Sequence, residues 1–454
     1  MSILLLACYE SGHQPLNLAW PAAFLRENGS TVTAVDLSVS PFPKAKAEQA
    51  ALAAISVPMH TALRLGVQAA QQVRAVNPQA HICFYGLYAW LNRDYLLAGM
   101  ADSVIAGEVE RPLLALAQDL ANGGDGTAVP GIATRQQEAA PQIARQTFPV
   151  PDRTDMLPLS EYARYMHNGS AALAGYVEAS RGCLHTCRHC PVVPVYDGRF
   201  FIVPLDVVMA DVRQQVAAGA QHITFGDPDF LNGPGHARKI AHALHDEFPR
   251  VTFDFTVKVE HILKHRSLFP EFRDLGCSFV VSAFEATSDA VLTRLDKGHT
   301  VADMEEALVI LAEAGIHAQS TWVPFTPWTT LTDYLEMMAW IRDHNLIQHV
   351  PAVQLSVRLL VPPESRLLAH PDASDWCGPL DAANFTYRWR HPDPRMDRLH
   401  QAVAALAEQG GDDFETFAVI EKLAYALDGR SAPPISPLTF YQPAPPRLSE
   451  DWFC

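Results

Sequence analysis

Three cysteines fall within eight residues of this chain, in Arg181-Gly182-Cys183-Leu184-His185-Thr186-Cys187-Arg188-His189-Cys190-Pro191, and their C-x3-C-x2-C spacing constrains the fold more than any other feature. A loop with three close thiolates is a metal loop. A [4Fe–4S] cluster takes four ligands, so three cysteines leave one iron open to bind something else. No fourth cysteine follows at a short spacing that would complete a second C-x2-C pair for structural zinc. The competing reading is a zinc knuckle that recruits His185 or His189 as fourth ligand. Position weighs against it, because the loop directly follows the first strand of a βα series, where barrels build their sites.

The pattern of apolar residues supplies that series. Strands are expected at Tyr176–Ala179, His222–Phe225, Thr252–Val257, Phe279–Phe284, His317–Phe325 and Val353–Leu359. Helices are expected between them at Leu205–Ala218, Gly235–Asp246, His261–Leu275, Val301–Ala314 and Leu331–His344. Six strands with intervening helices make either a partial barrel or an open α/β sheet. Ahead of them, Ile3–Ala7, Thr31–Asp36, Ser56–Pro58 and His81–Tyr85 read as buried strands, and Leu16–Asn28 and His60–Val76 as helices. This is the rhythm of a doubly wound parallel sheet. It ends in the Gly-, Ala-, Pro- and Gln-rich stretch Asn122–Gln142. Beyond Pro363 come helices near Arg395–Gln409 and Phe414–Leu427, then a proline-rich, extended tail from Ser431 to Cys454. The domains are therefore expected at 1–150, 170–365 and 366–454.

Composition narrows the partners. Across 454 residues, 34 basic side chains face 50 acidic ones, a formal charge of −16, which disfavours a phosphate-backbone substrate. The opening run Met1–Cys8 is too short to span a membrane and lacks the basic flank of a signal peptide. No nucleic acid and no membrane partner are expected, and the cytoplasm, where thiols stay reduced, is the expected home. Cys8, Cys83, Cys277 and Cys377 have no ligand spacing and read as packing residues.

With its cysteine loop after strand one of a six-strand series, the segment 175–365 resembles the radical S-adenosylmethionine (SAM) superfamily. The resemblance implies a (βα)6 partial TIM barrel whose cluster, on Cys183, Cys187 and Cys190, binds SAM at its open iron. One electron, from a donor such as flavodoxin or ferredoxin, then splits a carbon–sulfur bond of the sulfonium. Where the family often has an aromatic residue before the last cysteine, this chain has His189. After the second strand, Phe225-Gly226-Asp227-Pro228-Asp229-Phe230 resembles the family segment that contacts the SAM amino group, which nominates Gly226, Asp227 and Asp229. A turn with a helix N-cap explains the same residues equally well. At the fourth strand's end the resemblance nominates Ser282 and Glu285, near the SAM ribose or carboxylate.

The doubly wound Rossmann-like first domain resembles the cobalamin-binding subfamily, which implies cobalamin as a further cofactor. The family's Asp-x-His-x-x-Gly loop is missing, and the nearest stretch, Met59-His60-Thr61-Ala62, lacks both the aspartate and the glycine. The ending Ser449-Glu450-Asp451-Trp452-Phe453-Cys454 resembles radical SAM proteins named for a terminal Cys-Sec-Ala-Glu-Pro or Cys-Cys-Ala-Glu-Pro motif. On that resemblance the protein continues beyond Cys454 with Sec-Ala-Glu-Pro. Cys454 then acts in catalysis, presenting a small molecule or a metalloid such as As(III) for 3-amino-3-carboxypropyl transfer. The competing functions are a cobalamin-type methyltransferase or other biosynthetic enzyme, a tRNA methylthiotransferase, and a non-catalytic iron–sulfur or metalloid sensor.

Overall fold

The computed structural model describes residues 1–434 and 444–450; Cys454 and its tail motif lie outside the described residues. Strands β1 (Ser2–Ala7), β2 (Thr31–Asp36), β3 (Leu52–Ser56), β4 (His81–Tyr85) and β5 (Ser103–Ile105) run parallel in the order β2-β1-β3-β4-β5. An antiparallel β6 (Ile132–Thr134) closes the far edge. Both faces are covered, as a parallel sheet requires. Leu4 and Leu6 pack with Ile55 and Phe84 under helix His60–Val76. On the other face Ile3 and Leu5 meet Leu18, Leu25 and Leu113 of helices Leu16–Glu27 and Glu110–Ala121. The direction in which strands are added reverses between β1 and β3, so the crevice at their carboxyl ends is the topological switch point, where such sheets bind ligands. The strand expected at Ser56–Pro58 is instead β3, Leu52–Ser56. Its Leu-Ala-Ala-Ile-Ser sequence continues an alanine-rich stretch and hides the strand.

The second sheet contains β7 (Arg164–His167), β8 (Ser170–Val177), β11 (His222–Phe225), β12 (Thr252–Thr256), β13 (Cys277–Glu285) and β14 (His317–Trp322). Between β8 and β11 lies a two-stranded ribbon of β9 (Ser180–Gly182) and β10 (Phe200–Ile202). Strands β8, β11, β12, β13 and β14 are parallel, each followed by helical chain, and form the barrel wall. The sixth strand is only marked. Residues Ala352–Ser356 curl into a 3-10 helix, and a single bridge joins Phe325 to Arg358. Two side chains account for this: Gln354 turns inward and its Oε1 accepts from the Trp322 amide, while the Tyr334 hydroxyl donates to the Leu355 carbonyl. Backbone groups that would build the ladder are thereby spent. The helix expected at His261–Leu275 is likewise two, Val259–Lys264 and Leu268–Asp274.

After the barrel come a hairpin, β15 (Cys377–Asp381) with β16 (Thr386–Trp389), and two helices, Pro394–Gln409 and Asp413–Leu427. A short β17 (Arg447–Leu448) pairs antiparallel with β7 at the barrel's first edge. Among the described residues no helix is long and apolar enough to cross a membrane.

Candidate active site at the cysteine loop

The cysteine loop is an excursion closed at its base by the β9–β10 ribbon. Gly182 stands where the excursion begins, at φ +78°, and a Cβ there would sit 2.4 Å from the Arg199 carbonyl and 2.5 Å from the Tyr196 ring. Only glycine fits. The Cys183 amide donates to the Arg199 carbonyl at 3.1 Å, the Arg188 amide to Leu295 at 2.9 Å, and the Leu184 amide to Asn232 Oδ1 at 3.3 Å. Three surrounding segments thus fix the backbone that carries the thiols. Cys183 and Cys187 are buried, Cys190 half-buried, and none is in a disulfide. Burial pushes the Cys183 thiol up to about 11, so a bare thiol there stays protonated and a metal must displace the proton. Among the described residues no three of these sulfurs and the neighbouring histidine nitrogens gather within 4.8 Å of one another. That spacing is wrong for a zinc knuckle with ligands packed round one ion.

The five downstream residues nominated from sequence occupy different environments. Gly226 is forced by packing, since a Cβ there would meet the Tyr176 ring and hydroxyl at 2.3 Å. Asp227 is 2% exposed; its carboxylate accepts from the Ala179 amide and the Ser180 hydroxyl, and so holds the chain entering the cysteine loop. Burial pushes its carboxyl up to about 7. Asp229 is fully buried, caps the short helical turn Phe230–Asn232, and faces His185 and His261. Ser282 is buried with no partner for its hydroxyl. Glu285 lies next to the loop itself: its Oε1 is 3.2 Å from His189 Nε2 and 3.0 Å from the Lys297 ammonium. It sits at a bulge in β13, at φ +67°, a strained conformation for a side chain with a Cβ. Buried but offset by Lys297, its carboxyl is held far below the usual carboxylate range.

Four residues that the sequence did not single out complete the surroundings. Lys297 is 3% exposed, and its ammonium is held charged by Glu285, with Cys187 and Cys190 adding to the effect. Asn232 braces the loop and keeps an unpartnered, buried Nδ2. Arg181, two residues before Cys183, bridges to the first domain: its guanidinium lies 2.7 Å from Glu110, 3.2 Å from Glu108 and 3.5 Å from Glu178, beneath the rings of Trp20 and Phe148. Glu178 is the excess carboxylate of that group, and burial pushes it up to about 7 against the pull of Arg181. Its folded pKa lies above its ordinary 4.5, so the stability it lends is complete below about 4.5 and lost as the pH rises through 7. We expect Glu178→Gln, which carries no charge to bury, to gain thermal stability relative to the native chain between pH 6 and pH 8. Equal melting-temperature differences at the two pH values would remove that account.

The two domains meet at this loop. Cys183, Val192, Val195 and Tyr196 share an apolar core with Ile55, Val57 and Phe84 of the first sheet. Tyr196 also donates its hydroxyl to Glu108 at 2.9 Å. From the loop after β1, His13 reaches across and stacks on Tyr176 of the barrel, ring centroids 4.2 Å apart.

Residues 177–341 match the model of the radical SAM superfamily. The chain is 23% identical over 313 residues to the anaerobic magnesium-protoporphyrin IX monomethyl ester cyclase of Synechocystis, an alignment covering 67% of this chain and 58% of that protein. It therefore spans little more than half the length of that relative. Two solved structures share its architecture at 14% identity. The cobalamin-dependent SAM radical enzyme OxsB, with aqua-cobalamin bound, superposes at a TM-score of 0.73 over 94% of this chain and 72% of its own. TsrM from Kitasatospora setae, a radical SAM methyltransferase with cobalamin and a [4Fe–4S] cluster bound, gives 0.64 over 94% and 99%.

Proposed function

We propose that the chain is a radical SAM enzyme, with a [4Fe–4S] cluster and SAM as its cofactors, and that it acts as a cobalamin-type transferase on a small molecule. The observation that carries this reading is the juxtaposition of the first sheet's carboxyl edge with the cysteine loop. The order β2-β1-β3-β4-β5 puts a ligand crevice on that edge, and the cysteine loop packs against it through Tyr196 and Val195. A cleft of about 580 Å³ opens beside the crevice between Cys8, Tyr9, Leu37, Ser38 and Glu450. Two solved structures of the same architecture hold cobalamin, which supports the assignment of the domain.

Neither His60 nor His13 is placed to serve as a ligand, so cobalamin, if bound, would be held by the crevice rather than by either histidine. His60 is already engaged, its Nε2 2.9 Å from the Asn384 carbonyl and its ring against Tyr88 and Phe385. His13 is buried in its stack with Tyr176, and burial lowers its pKa to about 4. When bound, cobalamin would supply a methyl-carrying centre. The chain's residues supply the rest: thiolates for the cluster, Lys297 and Glu285 as a fixed charge pair beside it, and Asp227 as the brace of the loop. A surface of charge −16 speaks for a small substrate over a polynucleotide. The seven described cysteines are all outside disulfides, in keeping with the cytoplasm.

Anaerobic reduction with SAM, followed by mass spectrometry of its fragments and an absorption spectrum of retained cobalamin, tests the reading. We expect cobalamin to co-purify or to bind on addition, with S-adenosylhomocysteine or deoxyadenosine as the SAM product. Methylthioadenosine from protein that refuses cobalamin would overturn this function in favour of 3-amino-3-carboxypropyl transfer. An intact cluster with no SAM fragment at all would leave only the sensor.

A further inference from the structure

We propose that His185, Asp229 and His261 form a second metal site, separate from the cluster, that takes a single divalent transition-metal ion such as zinc. The three side chains come from three segments: the cysteine loop, the turn after β11 and the helix after β12. Their ligand atoms all lie within 4.8 Å of one another, with His185 Nε2 at 3.3 Å and His261 Nδ1 at 2.9 Å from the same oxygen, Asp229 Oδ2. Two bonds of 2.0–2.2 Å at a tetrahedral angle put ligand atoms roughly 3.3 Å apart, so the separations suit one ion.

Direction supports the same reading. His185 Nε2 and His261 Nδ1 are buried, and neither makes a hydrogen bond with acceptable geometry, although each is close to the carboxylate. His261 is only 4% exposed, so water does not satisfy it. Two orphaned imidazole nitrogens beside a buried carboxylate oxygen cost free energy that an ion between them would recover.

Behind His185 lie the groups that would orient it. Its Nδ1 is 3.2 Å from the Lys258 ammonium and 3.7 Å from Glu260 Oε2, and these two are themselves 3.5 Å apart. As the side chains stand, Nδ1 accepts from the Lys258 ammonium and Glu260 is beyond hydrogen-bond reach, so an ion on Nε2 requires Lys258 to swing onto Glu260 and Glu260 to close on Nδ1, which then carries the proton. A carboxylate behind a ligating histidine is the usual outer partner of such sites. The nitrogen–oxygen ligand set of two imidazoles and a carboxylate suits zinc or ferrous iron and differs in kind from the cluster's thiolates.

Zinc alone is the probe, added to anaerobic protein whose cluster is intact at four irons per chain and then removed from solution by gel filtration. We expect about one retained zinc per chain, with an X-ray absorption spectrum showing nitrogen and oxygen neighbours, imidazole scattering and no sulfur. His261→Phe keeps a ring of similar size and is expected to lower retained zinc at least tenfold while leaving four irons. Asp229→Asn should do the same, but Asp229 also caps a turn, so His261→Phe carries the test. No retained zinc, sulfur in its first shell, or native zinc content in His261→Phe would each overturn the site. None of these readouts depends on turnover or cobalamin, so failure here and failure of the proposed function are separable.

Discussion

Cys187→Ala is expected to abolish reductive SAM cleavage and to remove most of the bound iron and the cluster's visible absorption. The expectation rests on the shortage of substitutes. A three-cysteine cluster already leaves one iron without a protein ligand, and losing one of the three thiolates leaves two. The chain's other described cysteines cannot step in. Cys8, Cys83 and Cys277 are buried within other parts of the fold, with thiols pushed up by burial, the first two to about 12. Cys377 belongs to the β15–β16 hairpin. Of the nearby histidines, His189 Nε2 lies against Glu285 and His185 is directed at Asp229. The side chain lost is small, so the variant should fold, and far-UV circular dichroism would confirm that. Iron content, absorption and SAM fragments measured on the same sample decide the matter. A variant that keeps four irons and cleaves SAM at more than about a hundredth of the native rate would show that a histidine can take the position, and the reading of these three cysteines as an irreplaceable set would fall.

Where local chemistry fixes an element, the sequence is enough to locate it. Helix Val301–Ala314 begins at a capping box of Thr300 and Asp303 and stops at Gly315, φ +72°, and its bounds match the expectation. Strand His222–Phe225 matches as well, a short apolar run with helices on either side. Where long-range contacts decide, the pattern misleads. Val353–Leu359 has the residues of a strand, yet Gln354 and Tyr334 draw its backbone into a turn. The need for glycine at 226 comes from the Tyr176 ring, which occupies the place of a Cβ there and stands 50 residues earlier in the chain. The cysteine loop was legible because all its chemistry lies within eight residues. The pairing of Glu285 with Lys297 spans only 12 residues, but a strained backbone at Glu285 makes it, and no composition or periodicity signals that. The partners of Arg181 and of His185 are out of reach for the same reason: Glu108 stands 73 residues before Arg181, and His261 lies two βα units beyond the loop.

Arg181 is where loss of one side chain should cost the fold most. Its guanidinium is the sole cation in contact with Glu108 and Glu110 among the described salt bridges, and both carboxylates are nearly fully buried, at 3% and 1% exposure. Gln146 donates to both of them through one amide nitrogen and Tyr196 donates to Glu108, but neither carries charge. Arg181→Met keeps much of the aliphatic stem while removing the charge and the guanidinium that lies beneath Trp20 and Phe148. Breaking a buried pair by deleting one partner typically costs about 3–5 kcal/mol, because the other charge stays behind in a poor dielectric. Protonation of the stranded carboxylates is the escape, and it is easier in acid. The loss of stability in Arg181→Met should therefore be larger at pH 8 than at pH 5.5. Denaturant titrations at the two pH values measure it. The variant that adds Glu108→Gln, Glu110→Gln and Glu178→Gln should recover most of the loss, since it leaves no charge of this group unpaired. If Arg181→Met costs under about 1 kcal/mol at pH 8, the cluster loop is not anchored to the first domain through this charge group, and the apolar contacts of Tyr196 and Val195, with the His13–Tyr176 stack, hold the two domains together.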